Sequence, residues 1–484
     1  MKPIYKLAAA ALLALSSASL ASAQTGTFHV TGSTAYRVAD VTAEVALCGG
    51  SNAKATFYGS SLTGANYSVV TNSTGTLKFE NYFNGSIAGD TALVAPVTLP
   101  FPSATDFPPT ATVTAGSAPA SAGVAGTPAT GGTAKAAPTN NSTLAPYATD
   151  PHAPDIAFSD VFFDTAQQIL QNATPANNNT PSGGTTGNIV GIVPFVFVTN
   201  ASTDVTDITG LSMDPQKFTF LWENGTAPLS FFTGKNADET KVVYAMGRDI
   251  DSGTRSTALS ETGYGLNGSQ IVTTGVEQYY AFNNSTSATN DNNTANADPT
   301  GIAGFSATSG VIGDDSTAGT TIGFLGLVPQ ESVPGDNYFM GEGDGGYFSG
   351  GNLATALSAK FSISATVVMT YLGVSDATTA LKSTQPQTAT LMAYNGYTFV
   401  PNSPSAANSS LIYEGQYTFW GYEHEYFTST ASTVAGDLKT ELNTGIDELS
   451  SNNVTFNSME VSRQDDGQNV QPNGSNLFNG VTLQ

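Results

Sequence analysis

Short apolar runs alternate along this chain with stretches whose apolar positions recur at helical spacing. Thr27 to Thr31, Thr76 to Phe83 and Asp155 to Asp160 read as strands that end in Gly, Asn, Ser or Asp turns. Ile189 to Val198 is a continuous run rich in β-branched residues, which predicts a strand buried on both faces. Val242 to Ala245 and Thr320 to Val328 predict further strands. Helices are predicted near Ala166 to Asn172, Leu353 to Phe361 and Thr433 to Leu449. Buried strands alternating with helices predict an α/β architecture with a mixed or largely parallel sheet.

Composition changes this picture in three places. Residues 96–154 are dominated by Pro, Ala, Thr, Gly and Ser, too little apolar surface for a core, and predict an inserted surface excursion. Asn283 to Asp298 and Gly341 to Gly351 read as polar or glycine-rich loops. At the start, Lys2 and Lys6 precede an apolar run from Leu7 to Leu15 and an Ala21-Ser22-Ala23 site, which predicts a signal peptide over 1–23 with cleavage before Gln24. A periplasmic or secreted product follows. No other run reaches the roughly 18 apolar residues of a spanning helix, so no stable membrane insertion is expected.

Charge narrows the partners. Lys and Arg number 15 against 38 Asp and Glu, a net charge of -23 that becomes -25 once Lys2 and Lys6 leave with the leader. Nucleic acid is excluded by that field, and a bound anion would have to be held locally, by backbone dipoles and a well-placed cation. The single cysteine, Cys48, lies beyond the cleavage site and can neither anchor a lipid there nor close an internal disulfide. The histidines His29, His152 and His424 are scattered in sequence, Glu423-His424-Glu425 reads as an exposed polar turn, and no metal or cofactor is expected.

The candidate chemistry lies in four turns. Thr31-Gly32-Ser33-Thr34, Asn84-Gly85-Ser86, Ser159-Asp160 and Arg248-Asp-Ile-Asp-Ser252-Gly253-Thr254 each follow a predicted strand. Such turns offer unpaired N–H groups and positive helix ends to an anion. Ser33, Thr34, Ser86, Ser252 and Thr254 can donate from hydroxyls, Gly253 permits close backbone approach, and Arg248 supplies a charged fork. Asp160 repels any anion that lacks a proton, so it selects monohydrogen phosphate over sulfate.

In this order the turns resemble those of the periplasmic phosphate-binding proteins of phosphate ABC transporters. Ile322-Gly323-Phe324 and the segment Ile412 to Trp420 resemble later family segments. The resemblance implies a two-lobed, type II binding-protein fold, with lobe 1 from 24–198 and 333–484 and lobe 2 from 199–332. It implies phosphate or a similar oxyanion in the cleft, closure about a hinge, an ABC permease partner, a monomer and no catalysis. Departures are Ala35 where threonine is common, Ile250 where an acid is usual, and Asp251 beside Ser252. Asp249 and Asp251 weaken anion binding if they face the site and orient Arg248 if they do not. The alternative is a secreted or cell-surface structural or interaction protein that keeps the fold without transport. A hydrolase has no nucleophile and base arrangement behind it.

Overall fold

A computed structural model describes residues 24–104, 150–169, 181–282 and 346–472 apart from short breaks, with a few short strands between 111 and 124 and between 305 and 327. The predicted leader, most of the 96–154 insertion and the loop 283–298 lie outside the described residues. Among those described, no helix is long and apolar enough to cross a membrane.

The chain is an α/β protein built on a large mixed sheet. Its strands are β1 (Gly26–Gly32), β2 (Lys54–Tyr58), β3 (Tyr67–Thr71), β4 (Leu77–Tyr82), β7 (Ile156–Ser159), β8 (Asn188–Ala201), β9 (Thr226–Pro228), β10 (Val242–Ala245), β11 (Thr366–Gly373) and β12 (Trp420–Phe427). Two short strands, β5 (Leu99–Phe101) and β6 (Asp150–His152), pair antiparallel outside it. The order across the sheet is β9-β10-β11-β8-β12-β7-β1-β4-β3-β2. The neighbours β7, β1 and β4 run parallel, as do β10 and β11. Each parallel group needs a crossover, and helices α1 (Arg37–Leu47), α2 (Ser86–Val94), α3 (Phe163–Ile169), α5 (Gly253–Thr262) and α6 (Gly350–Leu357) start after strands or their turns. Helix α4 (Pro215–Asn224) has Asp214 accepting from the Lys217 N–H at one end and Gly225 left-handed at the other.

The 14-residue β8 joins two halves of the sheet. Its residues 188–194 pair with β12, whereas Phe195 to Ala201 pair with β11. Phe195, Val196, Phe197 and Val198 are fully buried, which is why this run is apolar without alternation. One half holds β12, β7, β1, β4, β3 and β2, and the other holds β11, β10 and β9. Strand β11 falls in the 333–484 portion expected in lobe 1, yet it pairs with β10 and the second part of β8.

The reading of Glu423-His424-Glu425 is corrected: it sits in β12, fully buried, and is no exposed turn. Charged residues alternating with aromatics look solvent-facing in sequence, but β12 is central and covered on both faces. His424 stacks on Tyr426, and the Phe162 ring lies 4.5 Å from it. Asn188 donates to Glu425 at 2.9 Å. Burial pushes the Glu423 and Glu425 carboxyls well above the usual range, which favours their neutral forms. The 96–154 insertion also has ordered roots, because β5 and β6 pair at its two ends.

Candidate functional site

The four turns converge because their strands end on the same edge. β1, β4 and β7 are parallel neighbours, so the loops into α1, α2 and α3 leave together. Glycines make the contact tight: a Cβ on Gly89 of α2 would lie 2.6 Å from the Gly32 Cα at the end of β1. The turn before α5 comes from the other half of the sheet and meets them. Gly85 has φ +102°, and a Cβ there would strike the Asp251 carbonyl oxygen at 2.5 Å. The Ile87 N–H donates to that same carbonyl at 3.1 Å, which latches α2 to the turn of the opposite half.

Asp160, after β7, is 1% exposed and surrounded by donors. The Ser86 hydroxyl donates to its Oδ1 in a short bond, and the Thr254 hydroxyl donates to its Oδ2 at 3.3 Å. Thr257 donates to its backbone carbonyl at 3.2 Å. A Cβ on Gly253 would fall 1.6 Å from Asp160 Oδ1, so only glycine allows α5 to close over this carboxyl. Burial raises the Asp160 pKa, while Ser86, the Arg248 charge and Thr254 pull it down; the net direction is upward.

Arg248, after β10, is 2% exposed. Its Nε donates to the Tyr347 carbonyl at 3.0 Å and its Nη2 to Thr34 Oγ1 at 3.5 Å, a bond from one half of the sheet to the other. Its own carbonyl accepts from Arg255 and Gln278. Ser252 caps α5 by accepting the Arg255 N–H at 3.2 Å. The buried Ser and Thr residues of α5 turn back on the helix, as Ser256 does onto the Ser252 carbonyl, so a hydroxyl-rich helix can be interior. Ser33 donates toward Glu423 Oε2 at 3.5 Å and receives the Tyr36 N–H. All eight predicted residues are thus in this region, but Ser252 serves as a helix cap and Ser33 faces β12. Asp249 is buried, with its N–H on the Tyr347 carbonyl, and Asp251 takes part through its backbone latch.

Two charged residues here carried no motif in the sequence. Arg37 in α1 is 1% exposed; its Nε and Nη1 donate to the carbonyls of Thr34 and Ala65, and its Nη2 is buried without a partner. Burial and the nearby Arg248 charge lower its pKa to about 10, against the pull of Asp376. Asp376, two residues into α7 (Val374–Leu381), is buried and its pKa raised by that burial, with Arg37 and Arg248 opposing. Arg37, Arg248, Asp160 and Asp376 therefore lie among buried charges in a dry region, where each interaction is much stronger than in water.

No family model and no curated protein matches the chain. Solved structures similar to it include proteins described as phosphate-binding. One is assigned as a phosphate ABC transporter substrate-binding protein, solved with bound phosphate, from Clostridium perfringens: 7% identity, 87% of this chain and 95% of that one covered, TM-score 0.38. A phosphate-binding protein from Stenotrophomonas maltophilia shares 14% identity, with 87% and 84% covered and TM-score 0.34. PstS from Borrelia burgdorferi shares 9%, with 86% and 92% covered and TM-score 0.31. At these scores the likeness is one of outline, and no ligand is inferred from it.

The fold also corrects the reading of the histidines as scattered. His29 of β1 and His152 of β6 stack with ring centroids 4.2 Å apart. Pairing of β5 with β6 brings the second ring to the first, a relation that the 122 intervening positions hide.

Proposed function

We propose that this chain is an exported solute-binding protein that holds an oxyanion, phosphate first, between its two halves for ABC-type uptake, without catalysis. The observation that carries the reading is Asp160: a buried carboxyl whose two oxygens accept from the Ser86 and Thr254 hydroxyls, in the field of Arg248. An ionised carboxyl in that setting accepts hydrogen bonds and offers none. Monohydrogen phosphate can supply the proton, whereas sulfate cannot. Arg248 and Arg37 would carry the charge, the second through its unpartnered Nη2. Ser86 and Thr254 would turn from Asp160 to the anion. The Arg248–Thr34 bond and the Ile87–Asp251 latch join the halves, and a bound anion would hold them together in the same way.

Calorimetric titration of the mature protein with phosphate and with sulfate tests this. Saturable phosphate binding with weaker sulfate binding is expected; no heat and no thermal stabilisation at millimolar phosphate would remove the ligand. A secreted structural role without transport has one observation in its favour: Gly253 already closes over the Asp160 carboxyl. That reading expects no anion response at all.

A further inference from the structure

A second constellation lies away from the four turns, where β6 crosses the face of β1. His29 and Glu80 are register partners on the parallel strands β1 and β4, 6% and 3% exposed. The His29 Nδ1 and backbone N–H both meet Asp155 Oδ2, at 3.1 and 2.9 Å. This fixes the ring and leaves Nε2 as the free coordinating atom, the arrangement in which a carboxylate orients a metal-binding imidazole. That Nε2 is buried without a hydrogen-bond partner, and 3.6 Å away Glu80 Oε2 is equally unpartnered. A nitrogen lone pair facing a carboxylate oxygen needs a cation between them or a proton on the ring.

A proton accounts for that pair: burial lowers the His29 pKa, yet Asp155 and Glu80 together raise it to about 9. It does not account for the rest of the cluster. His152 stacks on His29, and its Nε2 lies 2.8 Å from Asp150 Oδ1. One donor atom each from His29, Asp150 and His152 lie within 4.8 Å of one another. They line a cavity of about 560 Å³ together with Glu80, Asp155 and Lys78, so three carboxylates outweigh one ammonium there.

We propose that His29, Asp150 and His152 form a binding site for a divalent transition-metal ion, zinc being the best match. Two imidazoles and a carboxylate suit zinc with a fourth position left to water or Glu80, whereas calcium and magnesium prefer all-oxygen sites. Bonds of roughly 2.0–2.2 Å require the donors to close to about 3.3 Å of one another. Asp150 and His152 have side chains 36% and 49% exposed and are free to make that movement. The ion would clip β6, the exit of the 96–154 insertion, onto β1.

The test uses tag-free mature protein stripped with chelator and titrated with cobalt(II) and zinc(II). One ion per chain is expected, cobalt giving the visible absorption of a four-coordinate N/O site that zinc then bleaches. The half-exposed ligands allow variants that keep the fold: His152→Ala and Asp150→Asn should each weaken binding at least tenfold with unchanged circular dichroism. Asp155→Asn, which touches only the orienting carboxylate, should weaken it by roughly 10–100-fold. Absence of saturable uptake, equal affinity for calcium, or wild-type affinity in the His152→Ala/Asp150→Asn double variant would each overturn the proposal.

Discussion

Strand β1 serves two constellations that differ in how they are made. At its C-terminal end, Ser33 and Thr34 join Ser86, Asp160 and Arg248 in a dry region assembled from strand-to-helix turns. In its middle, His29 meets His152 and Asp150 in a half-open cavity assembled from side chains that cross between strands. The first depends on backbone geometry, because glycines, caps and helix starts set every position. The second depends on which strand the insertion's exit lies against. A turn-built site leaves local motifs in the chain, and a face-built site leaves none.

If the two are independent, each can be broken alone. Arg248→Ala has the largest expected effect: it should abolish phosphate binding and cost about 1–3 kcal/mol of stability by removing the buried hydrogen bonds to Tyr347 and Thr34, with metal uptake unchanged. Urea unfolding and paired titrations measure both. Gly253→Ala comes next, since its methyl would occupy the Asp160 carboxyl oxygen; a loss of about 1–3 kcal/mol and of phosphate binding is expected from the same measurements.

Asp160→Asn should leave folding intact and reduce phosphate-over-sulfate discrimination by roughly tenfold, the value of one hydrogen bond to a charged group. Its pH behaviour sharpens the point. The Asp160 pKa is raised, so acid protonates it at a higher pH than an ordinary carboxyl, turns it into a donor, and should erase discrimination, which returns as pH rises. Equal anion affinities at pH 8 would remove its selective role.

The smallest effect concerns a buried acid beside α3. Asp466 accepts the Phe162 N–H at 2.8 Å, and burial raises its pKa from 3.8 to about 7. Between those values the folded chain binds more protons than the unfolded one, so its contribution to stability falls as pH rises from about 4 to about 7, at up to about 1.4 kcal/mol per pH unit. Asp466→Asn keeps the acceptor and should flatten that slope in thermal melts. It should leave both anion and metal titrations unmoved.

Legibility followed the same division. Arg248, Asp160, Ser86 and Thr254 were readable because a turn residue, a hydroxyl and a helix start fall together in a few positions. Arg255, directly after Ser252-Gly253-Thr254, stood in plain view but has no motif role. Arg37 was invisible as a site residue, since an arginine at the start of a helix pattern reads as a solvated charge until its burial is known. Glu423 and His424 misled for a related reason: alternating charge and aromatic residues imply one wet face, and only the sheet order makes β12 central. The exit of the insertion was hidden by its composition, which has no apolar pattern to mark β6 as paired.

From its residues alone this chain determined its α/β class, the strands β1, β4, β7, β8 and β10, and the motif from Arg248 to Thr254. These depend on periodicity and turn chemistry, which act over a few neighbouring positions. Tertiary structure decided the crossing at β8, the joining of Arg37 and Asp376 to the anion-type site, and the meeting of His29 with His152. Each of these brings together residues far apart in the chain, and burial and pairing across a sheet are properties of the whole fold.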